Sequence, residues 1–267
     1  MTFKIATWNI NSVRLRISMV EDFLNEHKPD VLCLQEIKCQ NDLFPANAFN
    51  EMGYEHQAVH GQKGYHGVAT VSRLPLEEIS STDYCKKGDT RHVECVVKAD
   101  GKQLRLHNFY VPAGGDEANT ETNPKFAHKL DFLEEMKSLN ADGDNVQSIL
   151  VGDLNIAPLE TDVWSHKQLL KVVSHTPVET DLLNEVMAAG GWADLIRHHI
   201  PPEEILFTWW SYRSKDWDAA NKGRRLDHIW SSPTLKNSLT DINVVRASRG
   251  LIKPSDHVPV IATFDFG

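Results

Sequence analysis

Three apolar, strand-like runs in this sequence end in acidic or amide side chains, which requires a fold that brings strand ends to a cleft. Trp8 leads into Asn9 and Asn11, Val31 to Leu34 into Gln35 and Glu36, and Ile149 to Val151 into Gly152, Asp153 and Asn155. An unpaired buried charge costs several kcal/mol, so a core strand carries a carboxylate at its end only where that end borders a cleft. Taken singly, Glu36 or Asn9 reads as a strand-end cap or turn residue. Taken together, the ends describe a pocket of hard oxygen donors. With no thiolate or histidine cluster beside them, such donors favour Mg²⁺ or Mn²⁺ over zinc.

The rest of the chain supplies the sheets that would present those ends. β-type runs occur at Phe3 to Trp8, Val31 to Leu34, Val68 to Ser72, Val93 to Lys98, Leu104 to Tyr110, Ser148 to Val151, Leu226 to Trp230 and Val258 to Phe264. Helical spacing appears in Val13, Ile17, Val20 and Leu24, and again in Phe126, Leu130 and Leu133. Strands and helices do not alternate strictly, so a mixed two-sheet sandwich flanked by helices fits better than a doubly wound parallel sheet. No repeat, low-complexity tract or Pro/Ser-rich linker divides the 267 residues, and one domain spanning 1–267 is expected. Neither GxGxxG nor GxxxxGK[ST] occurs, which removes the common nucleotide-binding readings.

Composition narrows the partners. The formal charge of −9 argues against holding nucleic acid by bulk electrostatics, so any such contact is a local basic face. Cys33, Cys39, Cys85 and Cys95 form no CxxC pair and read as reduced, structural thiols. No run reaches the roughly 18 apolar residues of a membrane span and no leader pattern is seen, so the expectation is a soluble, cytoplasmic protein without membrane contact.

Two later segments add chemistry. Pro254-Ser255-Asp256-His257 sets a carboxylate and an imidazole together before an apolar alternation, and Asp227 is the natural carboxylate to orient His257. Trp209, Trp210 and Tyr212 interleave with Arg213 and Lys215, and Arg224 and Arg225 follow, as in a surface that meets phosphates and unstacked sugars or bases.

With these segments in place the sequence resembles the exonuclease III family of DNA-repair nucleases, AP endonuclease family 1 within the endonuclease/exonuclease/phosphatase superfamily. The segments that carry the resemblance are Thr7-Trp8-Asn9-Ile10-Asn11-Ser12-Val13-Arg14, Leu34-Gln35-Glu36-Ile37-Lys38, Gly61-Gln62-Lys63-Gly64 with Gly67-Val68-Ala69, Asn108-Phe109-Tyr110-Val111-Pro112, Gly152-Asp153-Leu154-Asn155, Arg225-Leu226-Asp227 and Ser255-Asp256-His257. Glu36, Gly152-Asp153-x-Asn155 and Ser255-Asp256-His257 also fit relatives that cleave inositol phosphates or sphingomyelin. Gln35-Glu36-x-Lys38, the Gly-Gln-Lys-Gly turn and Thr208 to Ser214 resemble the DNA-repair branch.

The resemblance implies a four-layered α/β sandwich, Mg²⁺ as cofactor with Mn²⁺ substituting, and a monomer acting on double-stranded DNA with abasic sites or blocked 3′ ends. The activities it implies are cutting 5′ to an abasic site and 3′→5′ exonuclease or 3′-phosphatase action, in base excision repair. By the same resemblance, Glu36 is the principal metal ligand, assisted by Asn9 and Asp256, with Asp153, Asn155 and His257 completing the metal-bearing set. Asp153 positions or deprotonates the attacking water, His257 oriented by Asp227 contacts a phosphate oxygen, and Asn155 and Tyr110 donate hydrogen bonds to growing charge. Trp209 and Leu226 would wall a pocket for a flipped-out abasic sugar. Asn11, Lys38, Lys63, Arg91 and Arg213 would grip the substrate, in a patch extended by Arg224 and Arg225. Arg224 departs from relatives with an apolar or aromatic wall residue.

Overall fold

Residues 2–99, 101–143 and 146–267 are described by a computed structural model. The chain opens with β1 (Thr2–Asn9), α1 (Ile17–His27), β2 (Val31–Gln35), α2 (Ala46–Glu51), β3 (His56–His60) and β4 (Val68–Ser72). Then come β5 (Leu76–Ser80), β6 (His92–Ala99), β7 (Lys102–Tyr110), α3 (Pro124–Met136) and β8 (Gln147–Asp153). The last part holds α4 (His166–Leu169), α5 (Pro177–Gly190), β9 (Ala193–Asp194), α6 (Leu195–His199), β10 (Trp209–Trp210), α7 (Trp217–Ala220), β11 (Gly223–Arg224), β12 (Asp227–Ser231), β13 (Leu239–Val244) and β14 (Val260–Asp265).

These strands make two six-stranded mixed sheets, ordered β13-β14-β1-β2-β4-β3 and β5-β6-β7-β8-β12-β9, and a small β10-β11 ribbon. Each sheet has one parallel pair at its centre, β1 with β2 and β7 with β8. Parallel neighbours need a crossover of a dozen or more residues, and α1 and α3 lie in those two connections.

Alternation along the strands builds four layers. Ile5, Val31 and Cys33 of one sheet pack against Leu106, Ile149 and Val151 of the other. The intervening residues point outward, Trp8, Leu32 and Leu34 onto Val20 and Phe23 of α1, and Leu150 and Trp230 onto Phe132 of α3 and Leu183 of α5. Each such buried side chain contributes roughly 1.5–3 kcal/mol of transfer free energy. The four-layered sandwich expected from the resemblance is the observed architecture. Cys33, Cys39, Cys85 and Cys95 are all free, with burial pushing the Cys33 thiol up to about 12. No helix among the described residues is long and apolar enough to cross a membrane.

Some elements differ from the sequence pattern. The strands expected from Leu226 and Val258 begin later, at Asp227 and Val260, because both residues are held by the 208 segment instead. Leu226 N donates to Thr208 Oγ1 at 3.0 Å and Val258 N to Thr208 O at 2.9 Å. Helix α5 lies outside the helices read from apolar spacing; its signal is at its ends. Thr176 and Glu179 form a capping box, Pro177 starts the first turn, and Gly191 closes the helix at φ 68°.

Arg225 corrects the expected cation patch. It is fully buried, with Nε 2.7 Å and Nη2 3.0 Å from Asp162 and Nη1 2.9 Å from Asp194. Arg197 adds a further bond to Asp162 at 2.6 Å. A guanidinium so enclosed ties β12 to the 160 turn and cannot meet a phosphate. Burial resists ionisation of Asp162, but Arg225 and Arg197 outweigh it and hold the carboxyl below its ordinary value. Arg225→Met should therefore cost about 3–5 kcal/mol in urea unfolding, because buried Asp162 is left with Arg197 alone and Asp194 loses its guanidinium partner. In the wild type the contribution of Asp162 is complete above the ordinary aspartate pKa of about 3.9 and is lost as pH falls through the lowered folded value. The variant should show less of that acid sensitivity; an unchanged urea midpoint would contradict this role.

Candidate active site

The carboxyl ends of the two central parallel pairs face one another. Asn9 closes β1, and its Nδ2 donates to Glu36 Oε1 at 3.0 Å and to Asp153 Oδ2 at 2.9 Å. One amide thus joins the end of the β1/β2 pair to the end of β8 in the other sheet. A polar floor lies beneath it: Gln35 Nε2 donates to Thr7 Oγ1 and Asn108 Oδ1, and Asn108 Nδ2 to the carbonyls of Leu34 and Ala69. Buried polar groups so paired fix the sheets' register at this end.

The backbone here is strained. Asn11, Glu36, Lys38 and Asn155 have φ of 48°, 49°, 52° and 55°, a region that costs non-glycine residues about 1–3 kcal/mol each. Gly152 has φ 144°, and a Cβ on it would stand 1.9 Å from the carbonyl oxygen of Phe109. Only glycine lets β8 pass that close to β7 while turning Asp153 inward.

Glu36 is the focus of one half of the site. Tyr110 OH donates to its Oε1 at 2.9 Å, and Lys38 Nζ lies 2.9 Å from Oε2. Burial works against ionising Glu36, but Lys38 and the bonds from Asn9 and Tyr110 outweigh it and hold the carboxyl below its usual value. Burial and the Glu36 charge push Tyr110 far above its ordinary value, so its hydroxyl remains a donor. Lys38 also donates to Asn11 Oδ1 at 2.6 Å, and Asn11 Nδ2 to Asp256 Oδ1 at 3.0 Å, which links Asp256 to Glu36 through two side chains. Trp209 Nε1 takes the other Asp256 oxygen at 3.0 Å.

The second half centres on His257. Its Nδ1 donates to Asp227 Oδ2 at 2.8 Å, and its Nε2 lies 3.5 Å from Asp153 Oδ2. Burial alone would make the imidazole less basic, but Asp227 and Asp153 reverse that and raise it to about 10. Burial raises Asp153 to about 7, with His257 opposing the rise and Asp227 adding to it. Thr208, given no role in the sequence pattern, fastens the arrangement: its Oγ1 donates to Asp227 Oδ2 at 2.6 Å and accepts from Asp227 N at 3.1 Å. Ser255 Oγ donates to Asn9 O at 2.6 Å, tying the Asp256-His257 turn to the end of β1. Both lie in segments that carry the family resemblance, but the bonds each makes are revealed only by the fold.

Glu36, Tyr110, Asp153, Asn155, Asp256 and His257 line a cleft of about 760 Å³ together with Trp209, Arg224 and Leu226. The Arg224 guanidinium lies 5.3 Å from the Trp209 ring centre, and its Nη1 donates to Val173 O and Ser174 Oγ. Lys63 and Arg213 are exposed, whereas Arg91 is not the surface cation expected. It is buried, bonded to Asp89 at 2.9 Å and to Tyr110 O at 3.3 Å, 5.1 Å from the Tyr110 ring centre. Its geometry supports Tyr110 instead of presenting a charge to solvent.

The sequence profile described as the Endonuclease/Exonuclease/phosphatase family matches residues 6–257. Exodeoxyribonuclease III of Haemophilus influenzae is 32% identical over 272 residues, covering 98% of this chain and 99% of that one. The chain belongs to the exonuclease III branch of that family. An AP endonuclease from Archaeoglobus fulgidus superposes on this exonuclease III relative with a TM-score of 0.90 at 32% identity, covering 98% and 99% of the two chains. A Neisseria 3′ phosphatase bound to product DNA hairpin gives the same score and identity, covering 99% and 100%.

In this family member Gly152→Ala should cost about 3 kcal/mol or more, the sum of backbone strain and overlap with β7. Urea denaturation measures it, and an alanine variant as stable as the wild type would show that β7 and β8 do not approach as closely as described.

Proposed function

We propose that this chain is an exodeoxyribonuclease III-type enzyme that hydrolyses phosphodiesters of double-stranded DNA, cutting 5′ to abasic sites and removing nucleotides or phosphate from 3′ ends, with Mg²⁺. The observation that carries the reading is the Asn9 amide held between Glu36 and Asp153, with His257 beside it, at the bottom of an open cleft. The exodeoxyribonuclease III and AP endonuclease relatives, and the Neisseria 3′ phosphatase with its DNA product, support DNA as substrate.

The donor set fits a hard divalent cation: carboxylates and amide oxygens, with no thiolate. Asp153, Asp227 and His257 also bring ligand atoms close enough to share a metal ion. There, however, His257 already meets Asp227 at 2.8 Å, so that pair is satisfied without a cation. Glu36, assisted by Asn9 and Asp256, is the better holder. A bound divalent cation supplies positive charge to a phosphate oxygen and the leaving oxygen.

The chain's own groups account for the rest. His257 Nε2 carries a proton toward a non-bridging phosphate oxygen, while Asp227 and Thr208 fix the ring. Asp153, poised near neutrality, accepts the proton of the attacking water at a carboxylate oxygen. Asn155 and Tyr110 both line the cleft, where their donors can meet charge that grows on the phosphate. Trp209 and Leu226 offer apolar walls for an extruded sugar without a base, the nucleotide that loses least stacking when flipped. With a net charge of −9, the DNA contact rests on local cations such as Lys38, Lys63 and Arg213, and weakens with salt.

A duplex with one abasic-site analogue, labelled at its 5′ end, tests this directly. One Mg²⁺-dependent cut immediately 5′ to the lesion is expected, abolished by EDTA. Asp153→Asn should reduce turnover about 10²–10⁴-fold while duplex binding persists. No cutting with Mg²⁺ or Mn²⁺ would overturn the reading, and near-normal turnover in Asp153→Asn would remove Asp153 from the proton-transfer role.

A further inference from the structure

Behind the cleft lies a buried ion pair that the chemistry above does not use. Lys129 of α3 and Glu179 of α5 are both fully buried, with Nζ 2.5 Å from Oε1. Replacing such a pair with uncharged groups of similar size is often neutral or stabilising, so stability alone does not explain it.

Its remaining bonds lead to the site from both ends. Lys129 Nζ donates to the carbonyl of Asn155 at 2.8 Å and to that of Ala113 at 3.4 Å. Asn155 is one of the left-handed residues of the cleft; its N–H donates to Asp153 Oδ1 at 3.0 Å and its Nδ2 to Val111 O at 2.9 Å. The ammonium therefore fixes the third polar group of a strained residue, and with it the amide directed at Asp153. Gly114, at φ 88°, leaves room for the lysine stem: a Cβ there would stand 2.9 Å from Lys129 Cδ.

The carboxylate serves the Ser174 and Arg224 part of the lining. Both Glu179 oxygens accept from Ser174 N at 2.9 Å, and Oε2 accepts from Thr176 Oγ1 at 2.7 Å. Ser174 Oγ in turn accepts from Arg224 Nη1 at 2.6 Å, and Arg224 lies against Trp209. One buried contact thus sets the spacing between Asn155 and the wall that carries Arg224 and Trp209.

We propose that Lys129 is a positioning residue for Asn155, and that its pairing with Glu179 locks Asn155 to the Ser174 segment that holds Arg224 in the cleft lining. This rests on the phosphodiesterase reading. A misplacement of about 1 Å at reacting groups can cost about 10²-fold in rate, which is the scale expected here.

The test compares Lys129→Met with the double variant Lys129→Met/Glu179→Gln on the abasic duplex, alongside thermal unfolding. Lys129→Met alone strands the Glu179 charge and should lose stability as well as kcat. The double variant removes both charges but keeps an oxygen for the Ser174 amide, so its Tm should return close to that of the wild type. Its kcat should stay about 10²-fold low, with KM for the duplex within about threefold. If the double variant recovers kcat along with Tm, the pair is structural only and the proposal falls. A double variant with normal kcat and raised KM also overturns it. A wild type that does not cut this duplex overturns the phosphodiesterase reading, and the positioning role with it.

Discussion

The Asn9 side chain donates one amide to carboxylates from two sheets, Glu36 after β2 and Asp153 at the end of β8. That contact requires both central parallel pairs to end at the same depth and on the same side of the sandwich. The polar floor of Gln35, Asn108 and Thr7 sets the depth, and the apolar alternation beneath it sets the faces. A slip of one residue in β1 or β8 would turn its end residue to the opposite face and dissolve the site.

Charge is arranged by the same geometry. Glu36, Asp153, Asp227 and Asp256 crowd one end of the molecule, and each is held by named donors: Lys38 and Tyr110, Asn9, Thr208 and His257, Asn11 and Trp209. Asp153 is raised toward neutrality, because burial and a neighbouring carboxylate outweigh its partners, whereas Glu36 and Asp256 are held below their ordinary values. The roles proposed for Asp153 and Glu36, acid–base group and cation holder, are thus separated by environment, not by residue type. Elsewhere the buried carboxylate of Asp162 has two guanidiniums, and there the balance favours ionisation. Arg225 is spent on this internal pair, which is why a sequence rich in cations after Trp209 presents fewer of them to a substrate.

Much of this was legible in the sequence, because strand-end residues are set by local pattern. An apolar run followed by Asn9, by Gln35-Glu36 or by Gly152-Asp153 marks both a strand and the edge of a cleft, and the structure gathers those ends. The sandwich followed from strands without strict helix alternation. Less legible was anything that depends on long-range packing. Arg91 and Arg225 look like any surface cation until Tyr110 and Asp162 are seen around them. Thr208 and Lys129 carry no local signature, since each acts through partners distant in the chain, and nothing local pairs Glu179 with Lys129. Helix α5 was hidden by weak apolar spacing, although Thr176-Pro177 and Glu179 announced its start. The late start of β12 and β14 depends on Thr208 capturing the residues before them, which no strand propensity encodes.

In the function proposed here the divalent cation is held by Glu36, and His257, paired with Asp227, serves as a proton donor. Calorimetric titration of Mg²⁺ into the wild type, Glu36→Ala and Asp227→Asn tests it most directly. Saturable binding in the wild type should weaken at least about tenfold in Glu36→Ala and persist in Asp227→Asn. Binding that survives Glu36→Ala but is lost in Asp227→Asn would place the cation among Asp153, Asp227 and His257, and would contradict the division of roles drawn from the geometry.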